Sequence, residues 1–436
     1  MKRFLLVTLV LVTALAAISC GGKTQQAAGG PAKLVFMTSE PVMADIYDRI
    51  NAEYKKVAPD VEFEMIHVGA DFYLKVDTTI LSGEQLDITF FNYMLAHSPR
   101  AVAGQWVCID PYIEKEGINL MDIYYIDPTI LEDGKRYALP GDVKFWVMWL
   151  NKDDLDRVGL PIPPMDWDWD DFREYAKRLT WGEGANKHYG SIAVNWMHPN
   201  GLVAFNKLKD NPFLTSDRQS NFLHPVIKES IQLRYDLEQV DKTQFPLSEI
   251  VAMQLDYRSI FLSGQASMLP MATNIIPQIG QTAQFPHDFV TTFAPIPKAK
   301  DGNLGWTYHD NRFYSIGRTS AHPQEAYDYL RWFTTVGLPM KNVGTTAEKV
   351  YTVPITEIIK GMTAEGPHLF DLEALTRVMT WPSLYLNHWY NVPVYTQELE
   401  TIFAVEANKA VMGEQTIDAA VRAMHSQAEA VIARHR

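Results

Sequence analysis

The sequence predicts an α/β fold carried by a mostly parallel sheet, and three observations predict it. Strand-like and helix-like runs alternate from residue 32 to residue 91, giving β-α-β-α-β at the start of the folded body. The first of those runs is apolar throughout, as a buried strand is. The chain has 436 residues, 47% of them hydrophobic and 21% charged, which is enough for two or three globular domains with cores of their own.

In chain order, Ala32–Thr38 (AKLVFMT) reads as the first strand, closed by Ser39-Glu40-Pro41. Val42–Lys56 has helical spacing, with Ile46, Ile50 and Tyr54 on one face. Pro59-Asp60 breaks it, and Val61–Val68 alternates as a strand. Phe72–Ser82 reads as a helix and Asp87–Phe91 as the third strand. Tyr137–Trp149 is β-prone, with Lys144 interrupting its apolar run. Asp168 caps a helix to Thr180, with Asp171 placed to complete an acidic first turn. Helical runs follow at Pro225–Gln239 and Ser248–Leu262, strands at Phe289–Phe293 and Arg312–Ile316, and a helix at Ala321–Thr335 with Pro323 in its first turn. From Val394 the chain is almost wholly helical.

Charge and cysteine content exclude several function classes. Aspartate plus glutamate total 52 against 39 lysine plus arginine, a net charge of −13, so neither nucleic acid nor an anionic lipid surface is an expected partner. Two cysteines, Cys20 and Cys108, exclude a disulfide scaffold and any four-cysteine metal site. Cys108, between Val107 and Ile109, is expected in the core. Asp166–Asp171 superficially resembles a calcium loop, but Asp171 and Lys177 stand where glycine and glutamate are required, so no metal is expected there. There is no HExxH, no GxSxG and no glycine-rich loop after a strand. Gly22-Lys23-Thr24 has Ala17 in place of the phosphate loop's first glycine.

Residues 1–19 read as a signal peptide: Lys2 and Arg3, then 15 uncharged residues from Phe4 to Ile18, short for a transmembrane helix. Ala16-Ala17-Ile18-Ser19-Cys20 resembles a bacterial lipoprotein processing site, which implies lipidation of Cys20; an ordinary secretory cleavage nearby is the alternative. Residues 20–32, rich in glycine, read as a flexible tether.

Several segments, in order, resemble the extracellular solute-binding proteins of ABC importers, the group that includes maltose- and multiple-sugar-binding proteins. They are Leu81-Ser82-Gly83-Glu84 with Leu86-Asp87-Ile88; Ala103–Val107 with Ile109-Asp110; Asp133–Pro140, eleven residues before Asn151-Lys152-Asp153; Gly159-Leu160-Pro161 and Pro164 with Trp169–Phe172; Phe261–Met268; Ala294–Pro297; and Ile316–Thr335. Leu86 and Leu150 depart from the family's proline and tyrosine. The resemblance implies the type II periplasmic-binding-protein fold: two α/β lobes, here 33–142 plus 293–335 and 146–290 plus 339–436, joined by crossings near Val143–Trp146, Val290–Phe293 and Thr335–Pro339. It further implies a carbohydrate ligand held in the interlobe cleft, ABC permease subunits as partners, a monomer, no cofactor, and residence outside the cytoplasm, held to a membrane by lipid alone.

Ligands of such sheets sit beyond the carboxyl ends of the strands, which singles out Ser39, Glu40, Asn92 and Tyr93. Sugars want flat rings and fixed polar groups, and aromatics are 12% of the chain. Trp196, Trp306 and Trp381 adjoin polar turns; for each, core packing competes with ligand contact. Asn195, Asn274 and Asp310 complete the set as polar partners. Lys144 is expected either to meet electron-rich ligand oxygens, favouring an acidic sugar, or to pair with Asp142. The expected function is a carbohydrate receptor. The alternatives are a secreted carbohydrate-active enzyme, whose paired carboxylates sequence alone does not exclude, and a receptor for another solute; only an enzyme would change the sugar it is given.

Overall fold

The computed structural model describes residues 31–92, 94–125, 133–208, 210–387 and 392–436. β1 (Ala32–Thr38) lies between β2 (Val61–His67) and β3 (Ile88–Phe91), parallel to both. Successive side chains of a strand face opposite ways. Leu34 and Phe36 accordingly join Tyr47 and Ile50 of the helix Ala44–Tyr54, while Val35 and Met37 join Phe72, Val76 and Ile80 of the helix Phe72–Ser82. That double cover is why β1 is apolar at almost every position. Asp87, the acid of the family-like motif, is buried; its Oδ2 accepts from Val35 N (2.8 Å) and its Oδ1 from Ser320 Oγ (2.5 Å).

The parallel order stops at β3. β4 (Leu139–Asn151), β5 (Met268–Ala272), β6 (Thr291–Pro295), β7 (Trp306–Ile316), β8 (Thr345–Thr346) and β9 (Tyr385–Asn387) complete a mixed, nine-stranded sheet in which β2-β1-β3-β7-β4-β5 is the main path. β4 changes partners along its length. Leu139–Phe145 runs antiparallel to β7, and Trp146–Asn151 runs antiparallel to β5 and β6. β7 does the same: Phe313–Ile316 pairs with β3, and Trp306–Tyr308 pairs with β9. The register of β4 against β7 slips between Pro140 and Val143, where Gly141 packs on Tyr314; a Cβ there would lie 2.3 Å from that ring.

Other differences from the sequence reading have local causes. The Asp168 cap forms as read, with a reciprocal bond to Asp171, over a helix Trp169–Arg178. The run 248–262 splits into Leu247–Met253 and Tyr257–Leu262 because Gln254 turns left-handed (φ 51°). β5 escapes pattern recognition because all five of its residues are buried and none alternates. Cys108, expected in the core, is half-buried, its Sγ 3.5 Å from Asp110. Two helices, Thr396–Val411 and Ile417–Arg434, close the chain. Among the described residues no helix is long and apolar enough to cross a membrane.

Candidate functional site

The site follows from the partner switch of β4 and β7. Residues directly opposite in an antiparallel pair share a face, as do residues two apart on one strand. Lys144 is opposite Asp310 and Phe145 is opposite His309. Asp142, Lys144 and Trp146 therefore share one face with Tyr308, Asp310 and Arg312, whereas Val143, Phe145, His309 and Asn311 face the other way and are buried.

One end of this face is a closed ionic network. Arg312 Nη1 donates to Glu40 Oε1 (2.7 Å), its Nε donates to Asn92 Oδ1 (3.0 Å) and lies 3.7 Å from Asp142 Oδ2, and its guanidinium covers the Phe90 ring. Lys341 Nζ (2.5 Å) and the Tyr47 hydroxyl (2.6 Å) donate to the other Glu40 oxygen. Burial alone would raise the Glu40 carboxyl, but Lys341 and Arg312 overcome it and hold the group well below the ordinary carboxylate range. The network ties the ends of β1 and β3 to β4, β7 and the segment Leu338–Lys341.

The middle of the face is less saturated. Asp310 Oδ1 accepts from the Tyr308 hydroxyl (3.0 Å). Lys144 is half-buried and makes no ion pair or hydrogen bond among the described residues. Burial, reinforced by Arg312, pulls its ammonium down to about 8 against the attraction of Asp142, Asp310 and Glu40. Glu400, on the helix Thr396–Val411, is half-buried and likewise makes no hydrogen bond or ion pair among the described residues; burial first and Asp310 second push its carboxyl up to about 8.

The other end is aromatic. Trp146 meets Trp196 (ring centroids 6.4 Å) and His198 (5.1 Å). Trp196 also meets Tyr257 edge-on (5.7 Å), and His198 meets Tyr308 (4.5 Å). Trp146 is enclosed, but Trp196 is 40% exposed, a large apolar ring left facing solvent. Such a row of rings and fixed polar groups can stack a flat apolar face and hydrogen-bond its edge.

Of the residues singled out in the sequence, the structure brings Lys144, Asp310 and Trp196 to this face. Glu40 and Asn92 are drawn together by Arg312, with half-buried Ser39 beside Glu40. Asn274 follows Thr273, whose Oγ1 accepts from Phe145 N (3.3 Å) at the partner switch. Asn195 is exposed, and its carbonyl accepts from Asn408 Nδ2 (3.2 Å). Trp306 begins β7 two residues before Tyr308, on the same face of the strand, and Trp381 lies in the turn before β9. Tyr93 and Cys20 lie outside the described residues. Sequence reading missed Arg312, Lys341, Trp146, His198, Tyr257, Tyr308 and Glu400. Glu400 carried a signal: Thr396, Leu399, Phe403 and Ala407 form the buried stripe of its helix, and an acid at 400 falls within that stripe.

A family model, bacterial extracellular solute-binding protein, matches residues 38–337, more than half of the chain. The chain belongs to that family. This solute-binding protein is 21% identical over 323 residues to a binding protein of Brucella abortus strain 2308, covering 72% of the chain and 75% of the relative. Its fold is that of a sugar transporter from Rhizobium etli in an open conformation (TM-score 0.77, 19% identity, 92% of this chain and 99% of that one). It is also that of an ABC substrate-binding protein from Listeria monocytogenes in complex with cycloalternan (TM-score 0.71, 18% identity, 92% and 99%). A third likeness is UgpB of Mycobacterium tuberculosis in complex with glycerophosphocholine (TM-score 0.70, 15% identity, 93% and 100%). Together these establish the two-lobed periplasmic-binding-protein architecture.

Two clusters elsewhere in the solute-binding protein invite other chemistry and do not have the geometry for it. Ser267, His188 and Asp154 meet in the core, but Asp154 Oδ2 accepts from the serine hydroxyl (2.8 Å) and lies 3.4 Å from the same His188 nitrogen that faces that serine (2.7 Å). A nucleophile's base needs its carboxylate on the opposite nitrogen. Among the described residues no group of three or more His, Cys, Asp or Glu is placed to hold a metal ion.

Proposed function

We propose that the protein is the extracytoplasmic receptor of an ABC importer, that it captures a mono- or oligosaccharide on the face shared by β4 and β7, and that it hands the sugar to permease subunits. The observation that carries this is the solvent-facing Trp196 ring against Trp146, which stands two residues along β4 from Lys144, itself opposite Asp310; neither charged group makes an ion pair among the described residues, and both lie where the long strands change partners. The lobes close over the ligand about that point. We place the crossings at Phe145/Trp146 on β4, near Asp310 on β7, and after Lys349. Supporting the last two, β6 and the first residues of β7 belong with the second lobe's strands, and β8 and Lys349 remain bonded to Asp142, Val143 and Ile123 of the first. This moves two of the crossings read from the sequence, at 290–293 and 335–339. Export through residues 1–19, an acyl anchor on Cys20 and a monomeric state complete the proposal.

A thermal-shift panel of mannobiose, mannotriose, D-mannitol, D-tagatose, glucosamine, glucuronate and glycerophosphocholine tests the reading, since a ligand that binds only the folded state raises the midpoint of unfolding. A saccharide that raises it, returns chemically unchanged and compacts the protein in solution scattering supports the receptor. Turnover of the sugar by pure protein, or a response to glycerophosphocholine alone, overturns it.

A further inference from the structure

Trp196 is the exposed ring of the aromatic row, and its own segment does not hold it there. It lies in the bend that leads into the helix His198–Lys207, which has Pro199 in its first turn and no side-chain cap. A short irregular segment keeps one place only when its backbone is bonded to something rigid. Among the described residues, one side chain bonds the backbone of residues 193–198. It is Asn408, in the last turn of the helix Thr396–Val411, whose Nδ2 donates to the Asn195 carbonyl (3.2 Å).

Asn408 is itself held by a chain of hydrogen bonds that runs into the core. Its Oδ1 accepts from Asn200 Nδ2 (2.8 Å), and Asn200 Oδ1 accepts from Arg234 Nη1 (2.8 Å). Arg234 Nε donates to Glu238 Oε1 (3.1 Å), at the point where the helix Pro225–Tyr235 passes into a π turn, Asp236–Val240. Glu238 accepts two further bonds, from Gln244 Nε2 (2.9 Å) and Leu247 N (2.9 Å). Leu247 starts the helix Leu247–Met253. After the left-handed Gln254 the chain enters the helix Tyr257–Leu262, whose first residue is the Tyr257 ring against Trp196. The bonds therefore reach Trp196 from two sides, through the Asn195 carbonyl and through the helices that carry Tyr257.

The ion pair at the centre of this chain suits positioning. The side chains of Arg234 and Glu238 are 3% and 1% exposed, and an ion pair desolvated so completely adds little to stability over apolar packing. What it supplies is direction, because the planar guanidinium bonds Glu238 and Asn200 at a fixed angle to one another. The π turn that carries Glu238 is a rare form that occurs frequently at functional sites.

We propose that Asn408, backed by Asn200 and the Arg234–Glu238 pair, is a positioning residue for saccharide capture: it fixes the backbone beside Trp196 so that the ring stands as a stacking wall before a ligand arrives. The ligand is then spared the entropy of ordering that ring. The inference rests on the receptor reading and deepens it, naming residues that act on the sugar only through Trp196.

The experiment is calorimetric titration of wild type, Asn408→Ala, Trp196→Ala and the double variant with the panel saccharide giving the largest thermal shift. Arg234 and Glu238 are left intact, because removing either strands a buried charge and endangers the fold. The bond to the Asn195 carbonyl is neutral, so Asn408→Ala should weaken affinity about two- to tenfold. A residue that acts through Trp196 loses its effect once the ring is gone, so in the Trp196→Ala background the same change should alter affinity by less than about twofold. A residue that merely stabilises the lobe gives the same fold-loss in both backgrounds. That result overturns the proposal, as does unchanged affinity in Asn408→Ala. Asn408→Asp is isosteric, keeps the oxygen that Asn200 bonds and cannot donate to the Asn195 carbonyl. It should bind as weakly as the alanine variant, and wild-type affinity in it also overturns the proposal. A ligand-free arm separates this from failure of the receptor reading. With 5-fluorotryptophan in place of the 11 tryptophans, the Trp196 fluorine resonance, assigned by its loss in Trp196→Phe, should shift or broaden in Asn408→Ala and Asn408→Asp. A Trp196 resonance unmoved in both variants refutes the positioning role even if no sugar binds.

Discussion

Replacing Lys144 by methionine keeps most of the stem and removes the charge, and the structure gives opposite signs for its effects on binding and on folding. The ammonium is half-buried, pulled down to about 8 first by burial and then by Arg312. Its lowered value means that the folded protein holds this proton less tightly than the unfolded chain does. The resulting cost is in full force below about pH 8 and fades as pH rises towards the ordinary lysine value of 10.5. Lys144→Met is therefore expected to unfold no earlier than wild type at pH 7, with any advantage shrinking between pH 8 and pH 10.5. Binding goes the other way. A hydrogen bond from an ammonium is worth about 1.5–3 kcal/mol, so its loss weakens affinity roughly 10- to 150-fold. Calorimetric titration with the panel's best ligand and thermal unfolding of the empty protein read the two quantities separately. Full affinity with a lower midpoint would refute the reasoning, because Lys144 would then be a structural partner of Asp142 and Asp310.

Trp196→Ala removes a ring that is 40% exposed in the empty protein, so stability should change by no more than about 0.5 kcal/mol. Affinity should fall by the roughly 1.5–3 kcal/mol of apolar burial the ligand would supply; equal binding in titration assigns the ring to the surface alone. Arg312→Met strands Glu40 and Asp142 and should cost about 3–5 kcal/mol in urea unfolding, with a small cost arguing that Lys341 suffices. His97, His188 and His309 are each pulled down to about 4 by burial, so the stability they contribute is present above pH 6.5 and lost as pH falls towards 4. Urea midpoints at pH 7 and pH 4.5 check this, and His309→Gln should flatten part of the slope. Cys20→Ala should release soluble protein or block processing, and a correctly processed, membrane-held variant would rule out the acyl anchor.

How much of this was legible depends on whether one segment settles its own structure. Phe72–Ser82 was read to the residue because a helical stripe and the left-handed Gly83 (φ 80°) bound it locally. Asp168 and Asp171 are a local capping pair and form one. Lys144 was visible as a charge in an apolar strand, and its two readings stayed open because its partners lie across the sheet. The β4–β7 register that sets Asp310 opposite it joins residues more than 160 apart, and no periodicity within either strand encodes that pairing. The parallel start could not show that β7 would enter the sheet against the direction of β1–β3, which depends on where the chain crosses between lobes.

The strand ends at Ser39-Glu40 and Asn92 were chosen because ligands collect beyond the carboxyl ends of parallel strands. The structure gives that argument a physical turn. A sheet that continues into antiparallel β7 brings Arg312 to those same ends, and its fork reaches Glu40 and Asn92 together. The carboxylate and amide at those ends thereby hold β1, β3 and β7 together. Among the described residues, Asp310, two residues along β7, is engaged by one hydroxyl, and Lys144 across from it by none. On the proposed reading, recognition lies at the middle of the crossing strands rather than at the ends of the parallel ones. On that reading a ligand held there would touch residues on both sides of the proposed hinge, its contacts would be completed as the lobes approach, and its affinity would be bound up with the closure that a permease would read.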